Sequence, residues 1–272
     1  MLSKLIKYDI RSTWRDFAGI YMSILLGVII VPLLFNNVSY QLVNMAAGFM
    51  AFGIVVAVIV VMITNLFKIF NTNVFSRQGY LTMTLPVTSG QIVISKLIVS
   101  SMWIVLTGLV SVIGLFIFAM IITPATIPQL AEGLQKLFNL LDGHGILTII
   151  LLILAMIVST IKEVAKLFLA CSIAHLKQLN RFRVPVGILS YFVFSWIEAA
   201  IAQVITTVAG LISSHGAEMI RQLDALSNPK SIEQFLGLFN GVISVGIIYA
   251  ILLIASYAMG TVWILNHKLD LD

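Results

Sequence analysis

Long apolar runs separated by short polar interruptions set the pattern of the chain, at about 18–36, 42–67, 97–123, 146–176, 184–212 and 237–265. At roughly 1.5 Å per residue, each run is long enough as a helix to cross a hydrocarbon core of about 30 Å. The pattern predicts an all-α polytopic membrane protein with six transmembrane helices in a single transmembrane domain over 1–272. The residues before the first run differ. On a helix, Leu2, Leu5, Ile6, Ile10, Trp14 and Phe17 fill one half, and Lys4, Lys7, Arg11 and Arg15 fill a narrow arc opposite. This spacing predicts an N-terminal amphipathic interfacial helix over 1–17, lying flat with its basic side toward anionic headgroups. Asp9 and Asp16 sit at the edge of the apolar arc and weaken that pattern. The competing reading is a helix packed on another protein.

The connections are unequal. Between the first two runs, Asn36–Gln41 forms a tight turn. After the third run, Ile127, Leu130, Ala131, Leu134, Leu137, Phe138 and Leu141 recur at helical spacing behind Pro124 and Pro128, which predicts a further amphipathic helix on the membrane surface. Ser231, followed three residues later by Gln234, resembles a capping box opening the last helix. The two halves show no convincing internal repeat in sequence.

Composition agrees with the pattern. The 272 residues are 60% hydrophobic and 10% charged, with a mean hydropathy of +1.08. A water-soluble domain carries about a quarter charged residues. Lysine and arginine set the orientation. With the N-terminus in the cytoplasm, eleven of the 16 fall on the inner side and only Lys136, Arg221 and Lys230 outside, with Lys162 and Lys166 inside a span. Both termini are therefore expected in the cytoplasm of a multi-pass protein. The spread of charge through the first 16 residues is unlike a cleavable signal. The single cysteine, Cys171, excludes an internal disulfide framework and reads as a small buried hydrophobe.

The segment over 68–96 is the longest predicted cytoplasmic piece. Thr88 is placed to cap the following helix, with Gln91 at its third position and Val87 and Ile92 at staple positions. Pro86 fits an extended lead-in. Ahead of it, Phe75, Tyr80, Leu81, Met83 and Leu85 offer apolar side chains beside Arg77. Physical chemistry alone leaves two readings: the patch docks in a partner's groove, or it folds back under its own helices.

The stretch "RQGYLTMTLPVTSGQIVISKLIVSSMWIV" resembles the first cytoplasmic loop and third span of ABC-2-type ABC transporter permeases. It carries Gly79-Tyr80-Leu81, Thr84-Leu85-Pro86 and Ser95-Lys96-Leu97 at that family's spacing. The basic N-terminal helix and the six-span layout extend the likeness over most of the chain. "LFLACSIAHLKQLNRFRVPVGILSYF" is similar, less specifically, to the hairpin of the fourth and fifth spans. The resemblance implies a coupling element over 68–96, with Phe75, Arg77, Gly79, Tyr80, Leu81, Leu85 and Pro86 contacting a separate ATP-binding subunit. It further implies a dimer of such subunits holding ATP and magnesium, a second identical or related permease subunit, membrane lipids as partners, and a bacterial plasma membrane. The chain lacks the G-x-x-x-x-G-K-[ST] phosphate loop, so ATP hydrolysis is expected in a partner, with no cofactor and no enzymatic activity in this chain.

Four ionisable residues fall inside the predicted spans: Lys162, Glu163, Lys166 and Glu198. A charge near mid-bilayer costs about 2.5–3.5 kcal/mol on insertion scales, so these groups should pair or face water. Counting equally from the hairpin centre at Asn180 brings Lys162 and Glu198 to one depth, and Glu163 and Lys166 are close enough to pair along one helix. A structural ion pair and a polar lining of a substrate route remain alternatives. The four histidines show no metal-ligand spacing, no catalytic set converges, and no nucleic-acid interaction is indicated. Two functions from different classes follow. One is the permease subunit of an ATP-driven exporter of an amphiphilic cargo, such as an antimicrobial peptide, a lipid-like molecule or a drug. The other is a non-transporting immunity or sensor protein that binds a peptide and signals through its cytoplasmic loop.

Overall fold

A computed structural model describes residues 2–37, 41–75, 88–122, 132–133, 135, 143–176, 182–212 and 229–267. Among them are six long helices: α1 (Leu2–Asn37), α2 (Gln41–Phe75), α3 (Ser89–Ile122), α4 (Gly143–Ala174), α5 (Arg183–Ile212) and α6 (Pro229–His267). No strand occurs among the described residues. Five of the helices contain stretches long and apolar enough to cross a membrane, and α2 contributes a described apolar stretch at Val55–Ile69. On α5, Leu189, Phe192, Trp196 and Val204 are all well exposed, Trp196 at 79%. Large apolar side chains outermost, on a chain this poor in charge, place hydrocarbon around the helices. The protein is a helical, multi-pass membrane protein.

The chain forms two compact units, one over 1–134 and one over 135–270. In the first, α1 packs chiefly on α3 and secondarily on α2. Phe17, Ile20 and Ile24 of α1 meet Ile69 of α2 and Val99 and Trp103 of α3 in its core. Phe17 stacks on Trp103 with ring centroids 4.7 Å apart and planes 2° from parallel. Contact along α1 and α3 is close enough that a Cβ on Gly114 would lie 3.0 Å from Val28 Cγ2. That glycine lets two helix backbones approach.

In the second unit α4 packs chiefly on α6 and secondarily on α5. Val164, Ala165, Phe168 and Leu169 are buried on α4, as are Tyr257 and Ile264 on α6. A Cβ on Gly260 would come within 3.1 Å of Leu169 Cδ1, so this glycine seats Leu169 as Gly114 seats Val28. Cys171 is a free, buried thiol in this packing.

Two expectations need correction. Residues 1–17 do not form a separate helix: α1 runs unbroken from Leu2 to Asn37, about 54 Å at 1.5 Å per residue. The physical reason is that the face opposite the basic arc is covered by protein. Asp9, Thr13 and Phe17 are buried, while Lys4, Lys7, Arg11 and Arg15 are exposed. The last helix begins at Pro229, two residues before Ser231, so Ser231 is not its cap. Proline at a first helical position loses nothing, because its missing N–H would have no partner there. The expected cap of α3 is present: the Gln91 N–H donates to the Thr88 carbonyl (2.9 Å) and hydroxyl (3.4 Å) oxygens. The predicted amphipathic helix over 127–141 lies almost entirely outside the described residues.

Candidate functional site

All four charges anticipated within spans meet at one place in the second unit. Lys162 and Lys166 are four apart on α4, so their ammonium groups project from one face. Glu163 lies between them in sequence, and Glu198 comes from the antiparallel α5. Lys162 Nζ donates to Glu198 Oε2 at 2.8 Å and lies 3.1 Å from Glu163 Oε1. Lys166 Nζ lies 2.8 Å from Glu163 Oε2 and 3.3 Å from Glu198 Oε2. Each lysine touches both glutamates, which closes a ring of alternating charge with no net charge. The Lys162–Glu198 contact is the one that equal counting from the hairpin brings to one depth, and Glu163–Lys166 is the pair expected within one helix.

Three tyrosines complete the ring. Tyr257 of α6 donates to Glu198 Oε1 at 2.6 Å, and Tyr191 of α5 donates to Glu163 Oε2 at 2.7 Å. Tyr249 of α6 donates to the backbone carbonyl of Glu198 at 3.3 Å. The Lys166 ammonium also lies 4.8 Å from the centroid of the Tyr191 ring, within cation–π range. Glu198 therefore binds α5 to both α4 and α6. Burial is uneven: the Lys166 side chain is 3% exposed and that of Glu163 is 41% exposed. At about 3 Å and an effective dielectric near 20, each attraction is worth about 5 kcal/mol before the repulsion between like charges is subtracted. That is the scale needed to offset the insertion cost of the charges, so the ring is held by its balance.

A second buried ion pair, which the sequence reading missed, lies in the first unit. Asp9 of α1 pairs with Lys96 of α3, and Ser95 donates to Asp9 Oδ2 at 2.9 Å. Asp9 and Lys96 are each about 5% exposed or less. One turn along α1, the Thr13 hydroxyl accepts from Trp103 Nε1 at 2.9 Å and donates to the Asp9 carbonyl at 2.8 Å. These bonds fix α1 against α3 in a parallel register, because Asp9 meets Lys96 and, further along both helices, Val28 meets Gly114. Asp16 and Lys68 form a third, exposed pair at 3.0 Å between α1 and α2. The signal for Asp9 was a charge interrupting the apolar half of α1, the side that is buried here.

Of the residues expected to contact a partner, Phe75 closes α2. Arg77, Gly79, Tyr80, Leu81, Leu85 and Pro86 lie outside the described residues. Among the described residues no group of three His, Cys, Asp or Glu side chains could hold a metal ion. Compared with models of known protein families, with characterised proteins and with solved structures, the chain matches none.

Proposed function

We propose that this chain is the membrane-spanning subunit of an ABC-2-type exporter in a bacterial plasma membrane, with six spans and both termini in the cytoplasm. The observation that carries this reading is the set Gly79-Tyr80-Leu81, Thr84-Leu85-Pro86 and Ser95-Lys96-Leu97 at the spacing of that family's first cytoplasmic loop and third span. The ion pair gives the set a mechanical context. The segment over 68–96 leads into α3, whose second turn is clamped to α1 through Lys96 and Asp9. A push on the loop is then delivered to two helices together. In this reading the loop docks on a dimer of ATP-binding subunits that hold ATP and magnesium. Two identical or related permease subunits meet face to face, and the cargo moves along the interface between them.

The test is co-purification with candidate ATP-binding subunits, followed by ATP hydrolysis in liposomes with and without an added amphiphilic peptide. The exporter reading expects a stable complex whose hydrolysis rises with cargo and falls when Tyr80 and Leu81 are both changed to Ala. A chain that binds peptide but associates with no ATPase would instead be an immunity or sensor protein.

A further inference from the structure

A cavity of about 270 Å³ opens between α4 and α6 in the second unit. Ala155, Ile247 and Ala250 give it apolar walls, and Ser159, Lys162 and Tyr249 supply its polar lining. Gly246 also lines it, and a Cβ there would meet no atom within 4 Å. Lys162 links the cavity to the charge ring. Its Nζ has three N–H groups, and two face Glu198 and Glu163, leaving one for the cavity. Ser159 is exposed and stands three residues from Lys162 on the same face of α4.

We propose that this cavity is a binding subsite for a single-chain amphiphile whose head is neutral and accepts hydrogen bonds, such as an ester, amide or hydroxyl. The charge of the head follows from the ring. Lys162 and Lys166 are already balanced by Glu163 and Glu198, so an ionised head would add an uncompensated charge among apolar helices. That penalty is about a hundredfold in affinity. The amphiphilic character follows from position. Ser159 lies near the middle of the 32-residue α4, out of reach of a headgroup anchored at either leaflet surface. A bilayer lipid brings only methylenes to this depth and offers no acceptor to the Ser159 hydroxyl or to the third Lys162 N–H, whose other two face Glu198 and Glu163. A molecule drawn off the leaflet brings its acceptor there. Only the naming of this occupant as cargo rests on the export reading, since binding itself requires no motor subunit.

The test uses the full chain in nanodiscs and radiolabelled monopalmitoylglycerol as the neutral probe, with palmitate and palmitoylcholine as anionic and cationic competitors sharing its tail. The expected result is saturable binding at one site per chain, displaced poorly by either ion. Gly246→Phe, which fills the cavity, should weaken it about tenfold or more. Equal displacement by all three probes would mean that the tail alone is recognised, and would overturn the proposal. So would unchanged affinity in Gly246→Phe. If that variant fails to fold, Ser159→Ala decides: it removes one hydroxyl from an exposed position and should weaken binding severalfold, whereas unchanged affinity again overturns the proposal. A chain that binds the neutral probe but associates with no ATPase leaves this site standing and removes the export reading.

Discussion

In the first unit one aspartate meets one lysine about two turns from the helix starts. In the second, two lysines and two glutamates close a ring well inside the apolar helices. The framework around them is alike. In each unit the first helix packs on the third, the second helix rests on the first, and a glycine of the third seats an aliphatic side chain of the first. The polar support differs. Asp9 takes one lysine and one serine hydroxyl, whereas Glu198 takes two lysines and a tyrosine on its carboxylate and a second tyrosine on its carbonyl. Position explains the difference. A charge near a helix end can relax toward water, while one deep in apolar surroundings must find all its partners in the protein.

The largest effect should come from Glu198→Leu, which leaves Lys162 and Lys166 sharing one partly exposed carboxylate. Breaking a buried pair by removing one partner costs about 3–5 kcal/mol. Thermal unfolding in detergent should show a large loss, and Lys162→Met added to Glu198→Leu should recover part of it. If the double variant is no better than the single one, the two residues do not act as a pair. Asp9→Asn should cost less, about 1.5–3 kcal/mol, because Lys96 keeps a polar neighbour and lies nearer a helix end. A loss as large as that of Glu198→Leu would break the comparison.

The tyrosines sharpen it. Tyr257→Phe removes a buried donor to Glu198 and should cost about 1.5–3 kcal/mol. Tyr191→Phe should cost less, because the Glu163 side chain is 41% exposed against 10% for Glu198 and so depends less on one buried donor. Equal losses would mean that exposure does not grade the ring. The smallest effect belongs to the exposed Asp16–Lys68 pair. Lys68→Ala should change stability by no more than about 1 kcal/mol, and added salt should erase the difference.

The ring was partly legible in the sequence because its lysines and Glu198 sit on consecutive helices joined by a short connection. Antiparallel neighbours share depth, so counting outward from Asn180 matches Lys162 with Glu198 without knowledge of the fold. Tyr257 was not legible, because it comes from α6, and a parallel neighbour one helix removed leaves no such count. Asp9 and Lys96 were hidden for the same reason, lying on parallel helices with α2 between them in sequence. The arc of Leu2, Leu5, Ile6, Ile10, Trp14 and Phe17 predicted an interfacial helix rather than protein packing because an amphipathic face does not record what covers it. For Ile6, Ile10 and Phe17 the cover is protein, while Trp14 stays exposed, and of the two aspartates that disturbed the pattern only Asp9 marked the buried side. Helix positions were the most legible feature, since apolar runs this long have few other ways to satisfy their backbone in a membrane.

In the proposed export reading, the segment over 68–96 is a handle moved by a separate ATP-driven subunit. Imaging the intact assembly, extracted from its native membrane with bound nucleotide, tests this most directly. The export reading expects an ATP-binding subunit seated on that segment, beside the Lys96–Asp9 clamp. A segment packed against its own helices, in an assembly without an ATP-binding subunit, would contradict it.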